Sequence, residues 1–260
     1  MMPNPLIFIP TYNERENVGR LCADLQALPI AKDILFLDDN SPDGTGDALD
    51  VLAREQANLT VIHRAGKLGI GSAHLDGIAW ARAHGYTRLV TMDSDFTHAP
   101  AKILEFLAQA DDVDVVVGSR YLHEDSLPGW TLWRRVLTRL GHIATAFLLG
   151  MPYDATGAFR LYRLDRISQR VFERANAGGY SFFFQSLYIL HRSGARIKEI
   201  PIALPARTAG HSKMGFSEIA RSLAHLGRVF TLRIVRPGDT VVALTDKASP
   251  PDGRPQTADG

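Results

Sequence analysis

Cysteine is nearly absent from this sequence, because Cys22 is the only one among 260 residues. A single cysteine excludes an intrachain disulfide and a zinc site built from several thiolates. This usage fits a reducing compartment. We expect Cys22 to lie on the apolar face of a helix.

The sequence also lacks an excess of charge of one sign. It has 29 Lys and Arg residues against 28 Asp and Glu residues, which gives a net charge of +1. Nucleic acid is therefore not expected as a partner, since such proteins usually carry a broad basic surface. Any electrostatic function has to be local.

Long hydrophobic runs are missing as well. Even Ile143 to Gly150 is far shorter than the roughly 20 apolar residues that span a bilayer. The N-terminal residues show no basic leader, and Leu6 to Ile9 is too short for a signal peptide, so we interpret it as the first strand. We expect a cytoplasmic protein that is peripheral on the cytoplasmic membrane face.

Short apolar runs alternate regularly with helical patterns in residues 1–120. Runs that are apolar on both faces are typical of a mainly parallel sheet with helices on both faces. The segments that follow these runs are polar or glycine-rich: PTYNE, DDNSPDGTG, HRAGKLGIG and DSDFTH. Because ligands bind at the carboxyl ends of such strands, the sequence predicts an α/β fold with a ligand site at that edge.

Beyond residue 120 the pattern changes to helical segments with interleaved arginines and aromatics, followed by DATGAFRLYR and GGYSFFFQSLYILHRSG. We interpret these as C-terminal α+β additions packed on the sheet. One domain is predicted over residues 1–236. Residues 237–260 are rich in Pro, Gly, Asp and Thr and are predicted to form a disordered tail.

Two carboxylates, Asp93 and Asp95, end the apolar run Leu89 to Met92. In an extended chain, side chains two residues apart point the same way. Like charges roughly 4 Å apart repel by about 4 kcal/mol at an effective dielectric near 20. The pair therefore needs a shared proton or a cation, and we interpret it as a site for a divalent metal ion.

The acidic turn DDNSPDGTG allows two interpretations. Asp38, Asp39 and Asp43 could build a turn and a helix cap, or they could accept hydrogen bonds from a nucleotide. The second acidic strand end, at Asp93 and Asp95, favours the nucleotide.

Other conspicuous residues carry weaker signals. The glycines of AGKLGIGSAH match neither a dinucleotide fingerprint nor a P-loop. His74, His98 and His211 lack the spacing of metal ligands. Tyr180 and Phe182 to Phe184 are predicted to be core or interface residues.

Seven motifs occur in a characteristic order: PTYNE, DDNSPDGTG, DSDFTHAP, GSRY, DATGAFRLYR, EIPI and RTAGHSK. Together they resemble the inverting family 2 glycosyltransferases, over Pro10 to Lys213. More narrowly they resemble the polyprenyl (dolichyl) phosphate mannosyltransferases of that family. The resemblance implies a GT-A, Rossmann-like fold, transfer of mannose from GDP-mannose to a polyprenyl phosphate, and Mg²⁺ or Mn²⁺ as cofactor. It also divides the domain into a nucleotide-sugar part, 1–120, and an acceptor part, 121–236.

The resemblance further implies site residues. Donor-binding residues at the first two strand ends would be Pro10, Tyr12, Glu14, Leu37 and Asp39. The D-x-D motif would be Asp93, Ser94 and Asp95, with Asp93, Asp95 and Thr97 at the metal. The residues that would close on the donor diphosphate or the acceptor phosphate are Arg120, Arg207 and Lys213, and those at the acceptor phosphate are Arg134 and Thr138. Catalysis would depend on Asp93, Asp95 and Arg120.

The chemistry of the acceptor agrees with this set. A phosphate monoester, with a second pKa of about 6, is largely ionised at neutral pH. Its attack needs no strong general base, but it needs arginines that hold a dianion in line. A divalent cation would stabilise the departing diphosphate.

Three positions depart from the family pattern. Gln185 stands where glutamate is usual, His142 where asparagine is usual, and Thr138 where serine is usual. Threonine keeps the hydroxyl. The lost charge at Gln185 leaves the contacts to sugar and acceptor open.

Several alternatives remain. The donor could be a UDP-sugar, or the acceptor could be a soluble alcohol, for which Asp154 could supply the base. The chain could also bind nucleotide sugars without catalysis, although intact Asp93 and Asp95 argue against this. A processive polysaccharide synthase is disfavoured, because no Q-x-x-R-W motif occurs.

A lipid acceptor requires an approach to the membrane. Residues that suit a membrane interface are Trp130, Trp133, Arg134, Arg135, Arg139 and Phe147. An ordinary packed amphipathic helix is the alternative interpretation. Phe216 to Arg236 is a second candidate surface, and a membrane-anchoring partner subunit could replace both.

Overall fold

The computed structural model describes residues 4–123, 126–175, 179–205 and 216–245, with only the backbone for 216–219. These residues form a seven-stranded sheet. Its strands are β1 (Leu6–Thr11), β2 (Asp33–Asp38), β3 (Leu59–His63), β4 (Arg88–Thr91), β5 (Val115–Ser119), β6 (Arg160–Arg163) and β7 (Ile197–Pro201). The helices are α1 (Arg15–Gln26), α2 (Thr45–Glu55), α3 (Ile70–Ala83), α4 (Lys102–Gln109), α5 (Leu132–Leu149), α6 (Gln169–Arg174), α7 (Ser181–Arg192) and α8 (Phe216–Val235).

The strand order is β3-β2-β1-β4-β6-β5-β7. All neighbouring pairs are parallel except those of β6, which runs antiparallel to both β4 and β5. The chain leaves β1 toward β2 on one side, and β4 pairs with β1 on the other. In sheets of this kind, ligands bind at the carboxyl ends of the strands where the strand order reverses in this way.

Both faces of the sheet are buried, as the apolar runs predicted. In β1, Leu6 and Phe8 pack into one core cluster, together with residues of α3 and α7. Ile7 and Ile9 pack into the other cluster, with residues of α1 and α4. Cys22 is buried in α1, which confirms its predicted place on an apolar helix face. The α/β fold with helices on both faces is therefore confirmed.

The C-terminal additions differ from the prediction in one respect. They were expected to pack on the sheet, but β6 and β7 are strands within it. β6 is buried along its length and lies between β4 and β5, and β7 extends the sheet beyond β5. The place of β6 was not foreseen because the sequence of a strand that is buried on both faces does not indicate its neighbours or its direction.

The tail prediction is wrong for residues 237–245. Pro237–Thr240 form a turn of 3₁₀ helix, and Thr240 is buried. Val242 and Leu244 pack against the core, and the Val242 N–H donates to Ser193 Oγ at 2.9 Å. These apolar side chains interrupt the polar composition on which the prediction relied. Residues 246–260 lie outside the described part of the chain.

Candidate active site

The polar segments predicted as the site follow neighbouring parallel strands and lie at one edge of the sheet. Three non-glycine residues with positive φ occur in the loops after β1, β2 and β4: Asn13 (56°), Asn40 (57°) and Phe96 (60°). Such conformations are uncommon outside glycine, and they cluster where the surrounding structure fixes a loop for function. The residues with positive φ therefore lie at the same edge of the sheet as the sequence motifs.

Asp39, at the end of β2, is already paired with an arginine. Its carboxylate accepts a hydrogen bond from Arg64 at 2.6 Å and another from the Gly69 N–H at 3.0 Å. Arg64 also donates to Ser72 and pairs with Asp76 at 3.0 Å. Sequence reasoning missed Arg64, although it directly follows a strand in the segment HRAGKLGIG. A nucleotide at Asp39 would therefore meet an acid held in place by a buried guanidinium.

The segment after β3 also reaches the loop after β1. Lys67 places its Nζ 4.1 Å from the centre of the Tyr12 ring. This cation–π contact brings a flexible positive charge beside the predicted base pocket. Lys67 is a second residue that the sequence analysis did not single out.

The other predicted donor-binding residues differ in what they can offer. Pro10 and Leu37 pair in register between β1 and β2, and both are buried. Leu37 packs its side chain into the core, so that side chain does not face a ligand. Glu14 precedes α1, and its carboxylate accepts a hydrogen bond from Asn17 at 2.7 Å.

Asp38 and Asp43 fulfil the turn interpretation of DDNSPDGTG. Asp38 accepts hydrogen bonds from Thr11 and from both the N–H and the hydroxyl of Ser41. Asp43 accepts from Thr45 and Arg15. Partial burial raises the pKa of Asp43, but these hydrogen bonds outweigh it and hold the pKa below its usual value. Of the three acids, Asp39 is the one whose carboxylate binds Arg64 and Gly69, beyond the turn.

The D-x-D pair lies on a loop. Because β4 ends at Thr91, Asp93 and Asp95 are not part of the extended strand that the sequence predicted. Asp95 is buried, and its Oδ1 accepts hydrogen bonds from the Thr97 N–H at 3.1 Å and the Thr97 hydroxyl at 2.6 Å. Ser94 is also buried, whereas Asp93 is partly exposed. The hydroxyl of Thr97 therefore orients Asp95.

His98 packs against the loop that carries Asp93 and Asp95 and holds its backbone. It is buried, stacks on Phe159 with ring centres 4.8 Å apart, and its Nδ1 accepts the Asp93 backbone N–H at 2.9 Å. This hydrogen bond requires an unprotonated Nδ1. Burial lowers the pKa of His98, while Asp93 and Asp95 act in the opposite direction. The sequence analysis did not foresee that His98 supports the acidic loop.

The oxygen donors at this loop fit a hard divalent cation. Mg²⁺ is usually held by one or two carboxylates, with phosphate oxygens and water completing its shell. Among the described residues, no group of three or more His, Cys, Asp or Glu side chains could hold a metal ion. Asp93 and Asp95 could supply the one or two carboxylates of such a site.

Arg120, after β5, is anchored by Asp154. Its Nε and Nη2 donate to the two carboxylate oxygens at 2.8 and 2.6 Å, and Nη2 also donates to the Thr156 hydroxyl at 2.5 Å. Burial lowers the pKa of Arg120, but the charge of Asp154 and, more weakly, that of Asp93 outweigh it and keep the pKa above its ordinary value. Nη1 takes no part in these hydrogen bonds.

Asp154 is therefore poorly suited to act as a base. It is 1% exposed, and both of its carboxylate oxygens accept hydrogen bonds from Arg120. Burial raises its pKa, but the charge and hydrogen bonds of Arg120 lower it below the ordinary value. The neighbouring Glu199 accepts the Asp154 N–H at 2.6 Å, and burial raises the pKa of Glu199. Glu199 is the first residue of the EIPI motif, but the sequence did not indicate this contact.

The predicted acceptor residues lie on α5. Arg134 is exposed and stacks over Trp130, with its Cζ 4.4 Å from the ring centre. The Thr138 carbonyl accepts a hydrogen bond from Tyr121 at 3.0 Å, which ties α5 to the loop that carries Arg120. His142 stacks on the same Tyr121 ring, with centres 3.9 Å apart.

Some predicted residues fall elsewhere. Arg207, Lys213 and His211 lie outside the described residues. Gln185 lies on α7, where its amide oxygen is 3.2 Å from His225 Nε2 on α8. The position at which the family usually has glutamate therefore lies at the contact between α7 and α8.

Comparison with known proteins identifies the family. A family model described as "Glycosyl transferase family 2" matches residues 6–170. The chain belongs to glycosyl transferase family 2. It is accordingly a glycosyltransferase.

Curated relatives cover most of the chain. It is 33% identical, over 86% of its length and 92% of the relative, to a protein named undecaprenyl-phosphate mannosyltransferase from Micrococcus luteus. It is 35% identical, over 84% of its length and 83% of the relative, to a protein named polyprenol monophosphomannose synthase from Mycolicibacterium smegmatis.

Solved structures show the same architecture. A glucosyl-3-phosphoglycerate synthase from Mycobacterium tuberculosis, crystallised with Mn²⁺ and UDP, superposes with a TM-score of 0.60 at 18% identity, over 88% of this chain and 78% of that one. A mannosyl-3-phosphoglycerate synthase from Rubrobacter xylanophilus superposes with a TM-score of 0.59 at 16% identity, over 95% and 78% of the two chains. The GT-A, Rossmann-like fold implied by the sequence is confirmed.

Proposed function

We propose that this glycosyltransferase transfers mannose from GDP-mannose to a polyprenyl phosphate, with inversion and with Mg²⁺ or Mn²⁺. The observation that carries the proposal is the Arg120–Asp154 pair. This pair supplies a fixed guanidinium, on which the charge of Asp93 also acts, and leaves Asp154 unsuited to serve as a free carboxylate base. An ionised phosphate acceptor needs an arginine to bind it and no strong base, whereas a hydroxyl acceptor needs a general base to remove its proton. The names of the two curated relatives agree with this acceptor and sugar.

The residues divide between donor and acceptor. Asp39, held by Arg64, and Tyr12 would bind the nucleoside of the donor. Asp93 and Asp95 would hold the divalent cation, with Thr97 orienting Asp95. When bound, that cation would supply Lewis-acid stabilisation of the departing diphosphate.

Acceptor binding would depend on positive charge. Arg120 would offer its Nη1 edge to a phosphate, and Arg134 and Thr138 on α5 would hold the acceptor phosphate on the other side. Planar guanidinium groups suit this task, because they bind phosphate oxygens in fixed, bidentate geometry. Arg207 and Lys213 are proposed to add to this set on the strength of the family motif.

The test is an assay of lipid-linked label. Purified protein is incubated with Mn²⁺, a short polyprenyl phosphate and radiolabelled GDP-mannose, UDP-glucose or UDP-N-acetylglucosamine in turn. Label extracted into organic solvent from GDP-mannose alone is the expected result. Label from a UDP-sugar would refute the donor, and the lack of lipid-soluble label from every donor would refute the acceptor.

The exposed face of α5 supports membrane contact. Among the described residues no helix is both long and apolar enough to cross a bilayer. Yet α5 exposes large apolar side chains, including Trp133 (71%) and Phe147 (83%), and contains arginines but no acid. A helix with this composition suits an anionic membrane interface. We propose that α5 lies on the cytoplasmic membrane surface near the acceptor phosphate.

Vesicle flotation tests this surface. Replacing Trp133 and Phe147 together by Glu should reduce co-flotation with phosphatidylglycerol vesicles by about tenfold or more, since the buried apolar area is lost and charge repulsion is added. Val51→Glu, an exposed position on α2, is the matched control and should float like the unchanged protein. Equal flotation of both variants would refute the α5 surface, and absent flotation of the unchanged protein would favour an anchoring partner subunit.

A further inference from the structure

Arg160 on β6 is a charged residue buried without a direct ionic partner. It is 0% exposed, and no carboxylate among the described residues lies within 4.0 Å of its guanidinium. Its Nε has no hydrogen-bond partner in that part of the chain. Burying a charge without a paired counter-charge is costly, so the fold retains Arg160 at the expense of stability.

The contacts of Arg160 lead toward the active site. Its Nη2 donates to the Ala155 carbonyl at 2.8 Å, and its Nη1 lies 3.3 Å from the hydroxyls of Tyr162 and Ser186. Ala155 directly follows Asp154 in the loop 154–157. The neighbouring histidine does not share the charge, because burial and then Arg160 itself lower the pKa of His74 to about 3.

The loop 154–157 is the part of the fold that holds Arg120. Asp154 accepts two hydrogen bonds from the Arg120 side chain and one from its backbone N–H at 3.0 Å, and Thr156 accepts another. Arg160 therefore secures the loop between these two acceptors. Its charge also acts on Asp154, whose pKa it helps to lower. Two arginines thus stabilise one buried carboxylate, one directly and the other across a peptide group.

We propose that Arg160 is a positioning residue that fixes the loop 154–157, so that Arg120 keeps the orientation in which it would bind a phosphate. This claim rests on the proposed function only for the identity of that phosphate. Arg160 has no access to substrate and acts through Arg120.

Arg163 supplies a matched control on the same strand. It is also a buried arginine that donates to a backbone carbonyl, that of Ala110 at 2.7 Å. It lies at the other end of β6, where it pairs with Asp165 and Asp111. A general effect of losing a buried arginine should appear in both positions, whereas an effect on Arg120 should appear only at Arg160.

The experiment is a double-mutant cycle between Arg160 and Arg120, measured on transfer. Arg160→Met should lower kcat/KM by up to about a hundredfold, because small misplacements of a binding group cost that much. Arg160→Lys should recover part of this loss. In an Arg120→Met background, Arg160→Met should cost little more, whereas Arg163→Met should cost the same in both backgrounds. Additive losses for Arg160 and Arg120 would overturn the proposal.

A second readout needs no substrate. The same cycle is measured on the urea midpoint of unfolding, with Arg163→Met again as control. Arg160→Met should shift the midpoint differently in the Arg120→Met background than in the unchanged protein. Equal shifts in both backgrounds would refute the positioning claim. Lack of transfer by the unchanged protein, with this coupling present, would instead refute the proposed function.

Discussion

Asp95→Ala should reduce mannosyl transfer by about a thousandfold or more. The variant removes a carboxylate from the site proposed for the divalent cation, so the departing diphosphate loses its counter-charge in the transition state. kcat/KM for GDP-mannose measures the effect. Mn²⁺-dependent binding of GDP, measured by calorimetry, should be lost in parallel.

Two companion variants separate this effect from misfolding. Asp95→Asn keeps an oxygen that can accept the hydrogen bonds of Thr97, but it removes the charge, and it should lose activity to a similar extent. Asp50→Ala changes an exposed acid on α2 that pairs with His63, and it should leave transfer unchanged. Near-normal turnover of folded Asp95→Ala would contradict the metal assignment.

Asp154→Ala should lower the free energy of unfolding by about 3–5 kcal/mol, because it leaves the guanidinium of Arg120 buried and unpaired. Transfer should fall as well, since Arg120 loses its orientation. The control is Asp24→Ala, which breaks an exposed pair with Arg20 at 3.9 Å and should cost less than about 0.5 kcal/mol. Urea unfolding of both variants gives the comparison.

The outcome also separates an anchor from a general base. An anchor should lower both stability and transfer when it is removed. A base that is not needed for the fold should lower transfer while the unfolding free energy stays close to that of Asp24→Ala. The second result would contradict the assignment of Asp154 as the anchor of Arg120 and would favour a hydroxyl acceptor.

The pH dependence of stability should follow from the same pair. Burial raises the pKa of Asp154, but Arg120 outweighs burial, so the folded pKa lies below the ordinary value of an aspartate. A depressed carboxyl pKa stabilises the fold fully above the unfolded pKa, and the contribution is lost as pH falls through the folded value. The difference in stability between the unchanged protein and Asp154→Ala should therefore shrink on acidification below pH 3.8.

The sequence predicted the placement of the acids that follow strand ends. Apolar runs located the parallel strands, and the acids in the loops that follow them, Asp39, Asp93 and Asp95, lie at the carboxyl edge of the sheet. These predictions succeeded because a buried strand and its first loop residues are neighbours in the chain. Local pattern was sufficient for them.

The partners of those acids could not be predicted in this way. Arg64 is 25 residues from Asp39, and Arg120 is 34 residues from Asp154, so only the fold brings each pair together. The insertion of β6 between β4 and β5 also depends on the fold and not on local sequence. It brings Arg160 into contact with the loop 154–157. A basic residue at a strand end, such as Arg64, was the signal that could have been used.

The most direct test of the account is a joint time course of GDP release and lipid-linked mannose in one reaction with GDP-mannose and polyprenyl phosphate. Equal amounts of both products should form with Mn²⁺, and neither should form when EDTA removes the metal. GDP release without lipid-linked mannose, or equal transfer in EDTA, would contradict metal-dependent transfer to a polyprenyl phosphate.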